Sequence, residues 1–149
     1  MPQVKEEILL NGNLEQVYSL LVNMEQYPQF MSNVKDVKII EEKEGLQITD
    51  WKTEIEGREI NWREKDIFHP QNYRIDFKQV EGDLKEFTGY WQLQETSEGI
   101  IVIFKVNFAL GIPGLAAFIN PIIKLKLATN AQEMLLSFKE KIESKVINY

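Results

Sequence analysis

The chain has 149 residues, a formal net charge of -6 at pH 7, no cysteine and 44% hydrophobic residues. This length predicts one domain, spanning residues 1–149, with enough chain to bury a real core. The absence of cysteine excludes disulfide bonds, thiolate metal sites and a cysteine nucleophile. An acidic chain without a basic cluster is a poor candidate for nucleic-acid binding, because that affinity comes largely from neutralising phosphates.

We expect a cytoplasmic protein. The segment Met1–Leu10 has no basic region followed by a long apolar stretch, so no secretory signal is predicted. The longest apolar run, Phe108–Ile119, is broken by glycine and proline and is too short to span a bilayer. No transmembrane segment is therefore predicted. Transient contact with a membrane or a carrier protein stays open, as does the oligomeric state.

The chain begins with a strand pattern at Val4–Leu10, which is followed by a short helix. Asn13 is a good N-cap for this helix, and apolar residues recur after it at helical spacing. The helix is expected to end before Pro28, because the residue before a proline is pushed out of helical geometry. A second short helical turn is predicted near Gln29–Ser32.

Turn signals then separate six more predicted strands, and a long helix closes the chain. The predicted helix runs from Pro121 to about Ile147, and its apolar stripe is expected to pack on a sheet. Short strands at regular spacing indicate an antiparallel meander, so the predicted fold class is α+β. The predicted strands are Val34–Glu41, Leu46–Ile55, Arg58–Phe68, Tyr73–Glu81, Leu84–Gln94 and Ile100–Ala109.

Because side chains alternate along a strand, each strand has one face that should point towards the helix. In Arg58–Phe68 this face carries Trp62, Glu64 and Asp66. Two alternatives are open for the two carboxylates. The sheet edge is wet and both are solvated, or one is partly buried with a raised pKa and is a candidate acid or base.

The strand Leu46–Ile55 gives conflicting signals about its inner face. Trp51 has the parity of Ile55, whereas Leu46 and Ile48 have the other parity. A bulge within this strand would reconcile the two sets, and we predict one there.

No motif indicates a metal, a phosphate or a catalytic nucleophile. The single histidine, His69, precedes Pro70 in a predicted turn and is interpreted as a turn residue rather than a catalytic base. One histidine and no cysteine argue against a zinc or iron site of the usual type. The sequence has no Gly-rich phosphate loop and no G-x-S-x-G elbow. No cofactor is predicted.

Three segments carry a resemblance to a known family. The first is Val17–Phe30, with the turn Glu25-Gln26-Tyr27-Pro28-Gln29-Phe30; the second is Glu81-Gly82-Asp83-Leu84 followed by Gly89-Tyr90-Trp91; the third is the helix end Lys139–Glu143. Together they resemble the polyketide cyclase/dehydrase and coenzyme Q-binding branch of the START-like (SRPBCC, Bet v 1-like) superfamily. The resemblance covers nearly the whole chain. It implies a helix-grip fold, in which about seven antiparallel strands curve around a long C-terminal helix, with short helices after the first strand.

The resemblance also implies a ligand cavity between the sheet and the long helix. Tyr27, Phe30, Trp62 and Trp91 match the aromatic positions that shape the family's pocket. The position of a pocket arginine falls at Asp66. Because an arginine can stabilise an enolate and a charged aspartate cannot, an aromatase mechanism of that type is in doubt. An aspartate could act instead as a base.

Two functions are predicted, and whether the chain is an enzyme stays open. The first is binding of a hydrophobic small molecule, such as a lipid, a quinone or a polyketide-like compound. The alternative is a polyketide cyclase, aromatase or dehydratase acting on a poly-β-keto intermediate, with Glu64 or Asp66 as base and Tyr27 or Tyr73 as donor. The predicted catalytic residues are Asp66, Glu64 and Tyr27. The predicted ligand-binding residues are Tyr27, Phe30, Trp62, Phe77, Phe87, Trp91, Phe104, Leu127, Met134 and Phe138.

Two further interpretations concern the surroundings of the cavity and the family's other branches. The apolar segment Gly111–Ile123 is either a flexible lip at the cavity mouth or ordinary loop and helix packing. A neighbouring branch binds ribosomes, and the acidic charge of this chain argues against that function.

Overall fold

The structure is a computed structural model that describes residues 3–55, 57–109 and 116–147, without the side chains of residues 55, 116–123 and 145–147. One strand precedes a short helix, six further strands follow it, and a long helix comes after the last strand. The strands are β1 (Gln3–Leu10), β2 (Val34–Lys43), β3 (Leu46–Ile55), β4 (Arg58–His69), β5 (Arg74–Gly82), β6 (Glu86–Thr96) and β7 (Gly99–Ala109).

The seven strands form one antiparallel sheet in the order β1-β7-β6-β5-β4-β3-β2. From β2 to β7 each strand therefore pairs with the next along the chain, and β1 joins at the far edge beside β7. The predicted meander and α+β class are confirmed. The sheet is curved, and its inner face packs against the long helix.

Helix α1 (Leu14–Val22) begins where the sequence predicts. The side chain of Asn13 accepts a hydrogen bond of 2.8 Å from the backbone N–H of Gln16 and so caps the helix. A short 3₁₀ helix, Met24–Gln29, follows and contains Pro28. The second helical turn, predicted at Gln29–Ser32, therefore lies earlier in the chain, because the fixed φ of proline is compatible with a helical turn.

Helix α2 (Ala116–Ile147) begins before Pro121 rather than at it. Its predicted apolar stripe is confirmed over the part whose side chains are described, since Leu135, Phe138 and Ile142 are fully or almost fully buried. Of the predicted lip segment, residues 111–115 lie outside the described residues, as do the side chains of residues 116–123.

The predicted bulge within β3 is wrong. Strand β3 pairs with β4 without a break in register, and the register shifts are against β2, where Lys35 and Ile40 are extra. The inner face of β3 is instead mostly polar, with Leu46 and Ile48 on the outer face. Among residues 46–54 of β3, the buried ones are Gln47, Thr49, Trp51 and Thr53.

The predicted inner faces of the other strands are confirmed by burial. Alternate residues of β5, β6 and β7 are buried, and so are Glu64 and Asp66 on β4. A close approach between strands occurs at Gly89, which pairs with Phe77 across β5 and β6. A Cβ atom at Gly89 would lie 2.7 Å from Cζ of Phe77 and would overlap the carbonyl oxygen of Lys105. The missing side chain therefore lets the Phe77 ring lie over the strand.

Candidate functional site

An apolar cavity of about 100 Å³ lies between the inner face of the sheet and α2. The sheet supplies most of its wall, and α2 supplies the remainder. The residues that line it are Val34, Trp51, Thr53, Ile60, Trp62, Glu64, Phe77, Leu84, Phe87, Trp91, Phe104, Val106, Leu127, Asn130, Ala131 and Met134.

Aromatic rings form a continuous part of the wall. The indoles of Trp51 and Trp62, which are paired across β3 and β4, stack with centroids 5.6 Å apart and planes 8° from parallel. Trp62 also contacts Phe87, with a centroid separation of 4.9 Å. Trp91 and Phe104 contact each other at 4.5 Å. These rings pack against one another, so their positions are fixed without a ligand.

Glu64 is the one ionisable side chain among the described residues that line the cavity. It is 2% exposed, and its Oε1 accepts a hydrogen bond of 2.7 Å from Nε1 of Trp62. The same indole therefore forms part of the aromatic wall and orients the carboxyl group.

Asp66 is completely buried but does not line the cavity. Its Oδ2 accepts hydrogen bonds from the Thr49 hydroxyl at 2.8 Å and from the Gln47 amide at 3.2 Å. The indole N–H of Trp51 donates in turn to the Thr49 oxygen at 2.9 Å. These bonds explain the polar inner face of β3, because a buried carboxylate needs donors.

The two carboxyl groups of β4 are two residues apart on the same face of the strand, and each shifts the pKa of the other. Burial raises the pKa of Glu64 well above its usual range, and the nearby Asp66 carboxyl group raises it further, against a smaller lowering by Trp62. Burial also raises the pKa of Asp66, although Glu64 and the hydrogen bonds from Thr49 and Gln47 oppose the rise. Both carboxyl groups are buried, which excludes the solvated alternative, and their role as acid or base stays a prediction.

The cavity brings together most of the predicted site residues. Glu64 lines the cavity, whereas Asp66 is buried behind the residues that line it. Among the predicted ligand-binding residues, Trp62, Phe77, Phe87, Trp91, Phe104, Leu127 and Met134 line the cavity. Their role in binding stays a prediction.

Tyr27, Phe30 and Phe138 do not line the cavity. Tyr27 is completely buried behind it, where its ring packs edge-on against Trp51 and Trp91. Its hydroxyl donates to the backbone carbonyl of Leu21 and would have to leave that oxygen before it could contact a ligand. Burial, and then the nearby carboxyl groups, raise the pKa of Tyr27 well above its usual value.

Eight lining residues were not among the predicted site residues. Some could have been found from strand parity: Ile60 shares the face of Trp62, and Thr53 shares the face of Trp51. Asn130 and Ala131 follow Leu127 at helical spacing, which is also a readable signal. The missed residues are Val34, Trp51, Thr53, Ile60, Leu84, Val106, Asn130 and Ala131.

A second concavity, of about 430 Å³, is an open groove lined mostly by charged and polar residues from strands β2 to β5. Asp50 and Arg63 line it and form an ion pair of 2.7 Å. His69, interpreted as a turn residue, ends β4 and lies 2.8 Å from the Asp76 carboxylate. Neither feature suits an apolar ligand.

Metal ligands and membrane-spanning helices were sought in the described part of the chain. No group of three histidine, cysteine, aspartate or glutamate residues there is placed to hold a metal ion. In the same residues, no helix is long and apolar enough to cross a membrane.

The fold and the cavity together define the class of protein. A seven-stranded antiparallel sheet curved around a C-terminal helix is the helix-grip fold of the START-like superfamily, which confirms the resemblance seen in the sequence. The chain belongs to the family described as polyketide cyclase/dehydrase and lipid transport, whose model matches residues 10–135. A comparison with curated proteins finds no match.

Solved structures with the same fold cover almost the whole chain. The protein TTHA0849 from Thermus thermophilus is 21% identical, with a TM-score of 0.90 over 97% of this chain and 99% of that one. The Zhui aromatase/cyclase from Streptomyces sp. R1128 is 15% identical, with a TM-score of 0.89 over 97% and 95%. A START superfamily protein from Mycobacterium smegmatis is 17% identical, with a TM-score of 0.76 over 95% and 97%. At these identities the likeness shows the fold alone.

Proposed function

We propose that this protein binds a hydrophobic small molecule, such as a lipid, a quinone or a polyketide-like compound, in the cavity between the sheet and α2. The observation that carries the proposal is a cavity walled by aromatic rings with one buried carboxyl group, Glu64, on its surface. Sites for small ligands commonly combine an apolar lining with a few placed polar groups. The family's description, which names lipid transport, supports the same function.

The size of the cavity limits what it holds in the described conformation. A volume of about 100 Å³ is smaller than the roughly 150 Å³ cavity that holds a benzene molecule. A ring therefore enters if the wall moves outward slightly, and a longer ligand requires the helix and the sheet to separate further.

The second candidate function is a cyclase or dehydratase acting on a poly-β-keto chain. The observation that favours it is the placement of Glu64, whose pKa is raised by burial, at the surface of the cavity. In its charged form Glu64 would take a proton from a carbon between two ketones. The resulting enolate carbon would form a bond to another ketone carbon, and the alkoxide would take the proton back from Glu64. Asp66 would position Glu64 rather than contact the substrate.

The proposal is tested by filling the cavity. Ala131 is 2% exposed and lines the cavity from α2, so Ala131→Leu should occupy the space a ligand needs. Glu133→Leu places the same side chain on the exposed face of the same helix and is the matched control. The measurement is thermal unfolding with and without toluene. At ten times its Kd, toluene should stabilise the wild type by about 1.4 kcal/mol, or roughly 3–6 °C.

The expected result is a rise in Tm for the wild type and for Glu133→Leu, and none for Ala131→Leu. No rise in the wild type, or an equal rise in Ala131→Leu, would contradict binding in this cavity. Mass spectrometry of molecules recovered after incubation with a poly-β-keto compound separates the two functions. A carrier returns the same molecule, whereas a cyclase returns one that has lost water or gained a ring. Cytoplasmic location and contact with a carrier protein stay predictions.

A further inference from the structure

The hydrogen bonds around Glu64 and Asp66 constrain where the protons lie. The Trp51 indole is a donor only, so the Thr49 oxygen accepts from it and the Thr49 hydroxyl proton points to Asp66. The Gln47 amide donates to the same Oδ2 of Asp66. Hydrogen bonds donated to a carboxylate favour its charged form, so these two donors favour an ionised Asp66.

The second oxygen of Asp66, Oδ1, indicates where the shared proton lies. Asp66 Oδ1 is buried and has no hydrogen-bond partner among the donors of the described residues. A buried carboxylate oxygen without a donor is costly. The adjacent Glu64 can supply that donor if it is protonated, because its Oε1 already accepts from Trp62 and its second oxygen is free to carry the proton.

Two adjacent buried carboxyl groups do not both ionise readily, because like charges that share a site repel. Asp66 accepts two hydrogen bonds from outside the pair and Glu64 accepts one, so the negative charge is better stabilised on Asp66. The arrangement that these bonds favour has one proton and one negative charge. The charge is on Asp66, away from the cavity, and the neutral Glu64 is at the cavity wall.

Thr53 and Asn130, the other side chains with acceptor oxygens that line the cavity, already have partners in the protein. The Thr53 hydroxyl donates to the backbone carbonyl of Ile60 at 2.8 Å. The Asn130 carbonyl oxygen accepts from the Asn33 amide, and the Asn130 amide nitrogen contacts the sulfur of Met134 at 3.7 Å. Glu64 is therefore the principal hydrogen-bond acceptor for a ligand.

Building on the proposed ligand-binding function, we propose that Glu64 and Asp66 share one proton and that Glu64 accepts a hydrogen bond from a hydroxyl group of the ligand. Its proton is directed at Asp66, so the side chain offers lone pairs to the cavity. The ligand class is an apolar ring bearing a phenol or enol hydroxyl. A cationic amine is disfavoured, because it would lose its hydration in an apolar cavity while the negative charge stays on Asp66, behind Glu64.

The first test compares phenol with toluene, which differ by a hydroxyl in place of a methyl group. The quantity measured is the ratio of their affinities for each protein, by calorimetry at pH 7, so that the difference in their solubility cancels between variants. Glu64→Leu should lower the phenol preference about tenfold, the loss expected for one hydrogen bond. Glu64→Gln should restore most of it, because its amide can donate to Asp66 while its oxygen accepts from Trp62 and from the ligand. Benzylamine should gain no affinity from Glu64.

Each outcome separates the two proposals. If neither toluene nor phenol binds, the proposed function fails. If both bind, and their ratio is the same in the wild type and in Glu64→Leu, the hydroxyl proposal is overturned while binding in the cavity stands. If benzylamine bound more tightly than phenol and this affinity depended on Glu64, the ligand group that Glu64 recognises would be a cation and not a hydroxyl.

A second test does not depend on the folding of Glu64→Leu. Infrared spectroscopy of the wild type at pH 7 should show the carbonyl band of one buried protonated carboxyl group, and Glu64→Gln should lack that band. A wild type without the band would overturn the shared proton. A band that persists in Glu64→Gln would place the proton on another residue.

Discussion

Thr49 shows how one side chain can decide which face of a strand is buried. Its hydroxyl accepts a hydrogen bond from Trp51 and donates one to Asp66, and both of those residues are themselves buried. A count of apolar residues does not decide the inner face, because Leu46 and Ile48 have one parity and Trp51 and Ile55 the other. The hydrogen-bond requirements of a buried carboxylate decide it, since an unpaired buried charge is more costly than two partly exposed aliphatic side chains.

Asp66 occupies the position where the resemblance places a pocket arginine, and its surroundings differ accordingly. An arginine there would face the cavity as a donor, whereas Asp66 accepts hydrogen bonds from Thr49 and Gln47 and lies behind the wall. The carboxyl group in contact with the cavity is Glu64, two residues earlier. Any chemistry at this site therefore begins from a neutral acid or its conjugate base rather than from a cation.

Tyr27 provides a test at the residue scale. Its predicted role is to contact the ligand, whereas the structure places its ring behind the cavity wall. Tyr27→Phe removes a hydroxyl that donates to the Leu21 carbonyl. We expect a loss of about 1 kcal/mol in the free energy of unfolding and no change in toluene or phenol affinity, since the ring lies behind the cavity wall. Urea unfolding and calorimetry measure the two quantities. A tenfold loss of affinity with unchanged stability would show that Tyr27 contacts the ligand.

At the scale of elements, the cavity wall depends on the close fit of neighbouring strands. Strand β6 carries a glycine where its partner β5 carries Phe77, and the ring occupies the space a side chain would need. Phe77 also stacks on Phe104 of β7, with centroids 5.7 Å apart and planes at 15°. The glycine thus positions two of the rings that line the cavity.

Gly89→Ala tests this arrangement. The added Cβ would overlap the Lys105 carbonyl oxygen and approach Cζ of Phe77 to 2.7 Å, so strand and ring must both shift. We expect a loss of about 1–3 kcal/mol in the free energy of unfolding and weaker toluene binding. Gly45→Ala is the control, because Gly45 has φ of +78° and nothing within 4 Å of its added Cβ. It should cost about 1–2 kcal/mol through backbone strain and leave toluene binding unchanged. If both variants changed toluene affinity equally, the position of Phe77 would not determine the shape of the cavity.

For the molecule as a whole, the titrating groups act on stability in opposite directions. Hydrogen bonding to Arg63 lowers the pKa of Asp50, and hydrogen bonding to Lys139 lowers the pKa of Glu143. These groups contribute stability above their unfolded pKa values that is lost as the pH falls. Glu64 has a raised pKa, so the folded state holds a proton that the unfolded chain releases. Its contribution makes the folded state less stable as the pH rises above about 4.3, the unfolded value for a glutamate.

Glu64→Gln should remove this pH-dependent loss. At pH 4 its free energy of unfolding should be close to that of the wild type. The difference in favour of Glu64→Gln should then grow as the pH rises from about 4.3 towards the raised pKa of Glu64. Urea unfolding between pH 4 and pH 8 measures it. Glu143→Gln is the control, because it removes a carboxylate with a lowered pKa and should be less stable than the wild type by a nearly constant amount above about pH 4.3. A constant difference for Glu64→Gln across this range would mean that Glu64 is charged in the folded protein.

Much of the fold could be predicted because it depends on local signals. The N-cap at Asn13, the glycine turns between strands and the period of the apolar residues all depend on neighbours within a few positions. Two boundaries were predicted less accurately, namely the start of α2 at Ala116 and the position of the 3₁₀ helix. Proline is compatible both with the start of a helix and with a turn inside one, and only packing distinguishes the two.

The sequence by itself determined the superfamily, the meander, the inner faces of four strands and seven of the aromatic and aliphatic residues that line the cavity. Alternation is a property of the strand, so parity alone identifies those faces. Only the tertiary structure decided that Glu64 rather than Asp66 reaches the cavity, that the inner face of β3 is polar and that Tyr27 lies behind the wall. These outcomes depend on which donors lie opposite each carboxyl group once β3 and β4 are in register. That register is set by contacts between strands and is not a property of either segment alone.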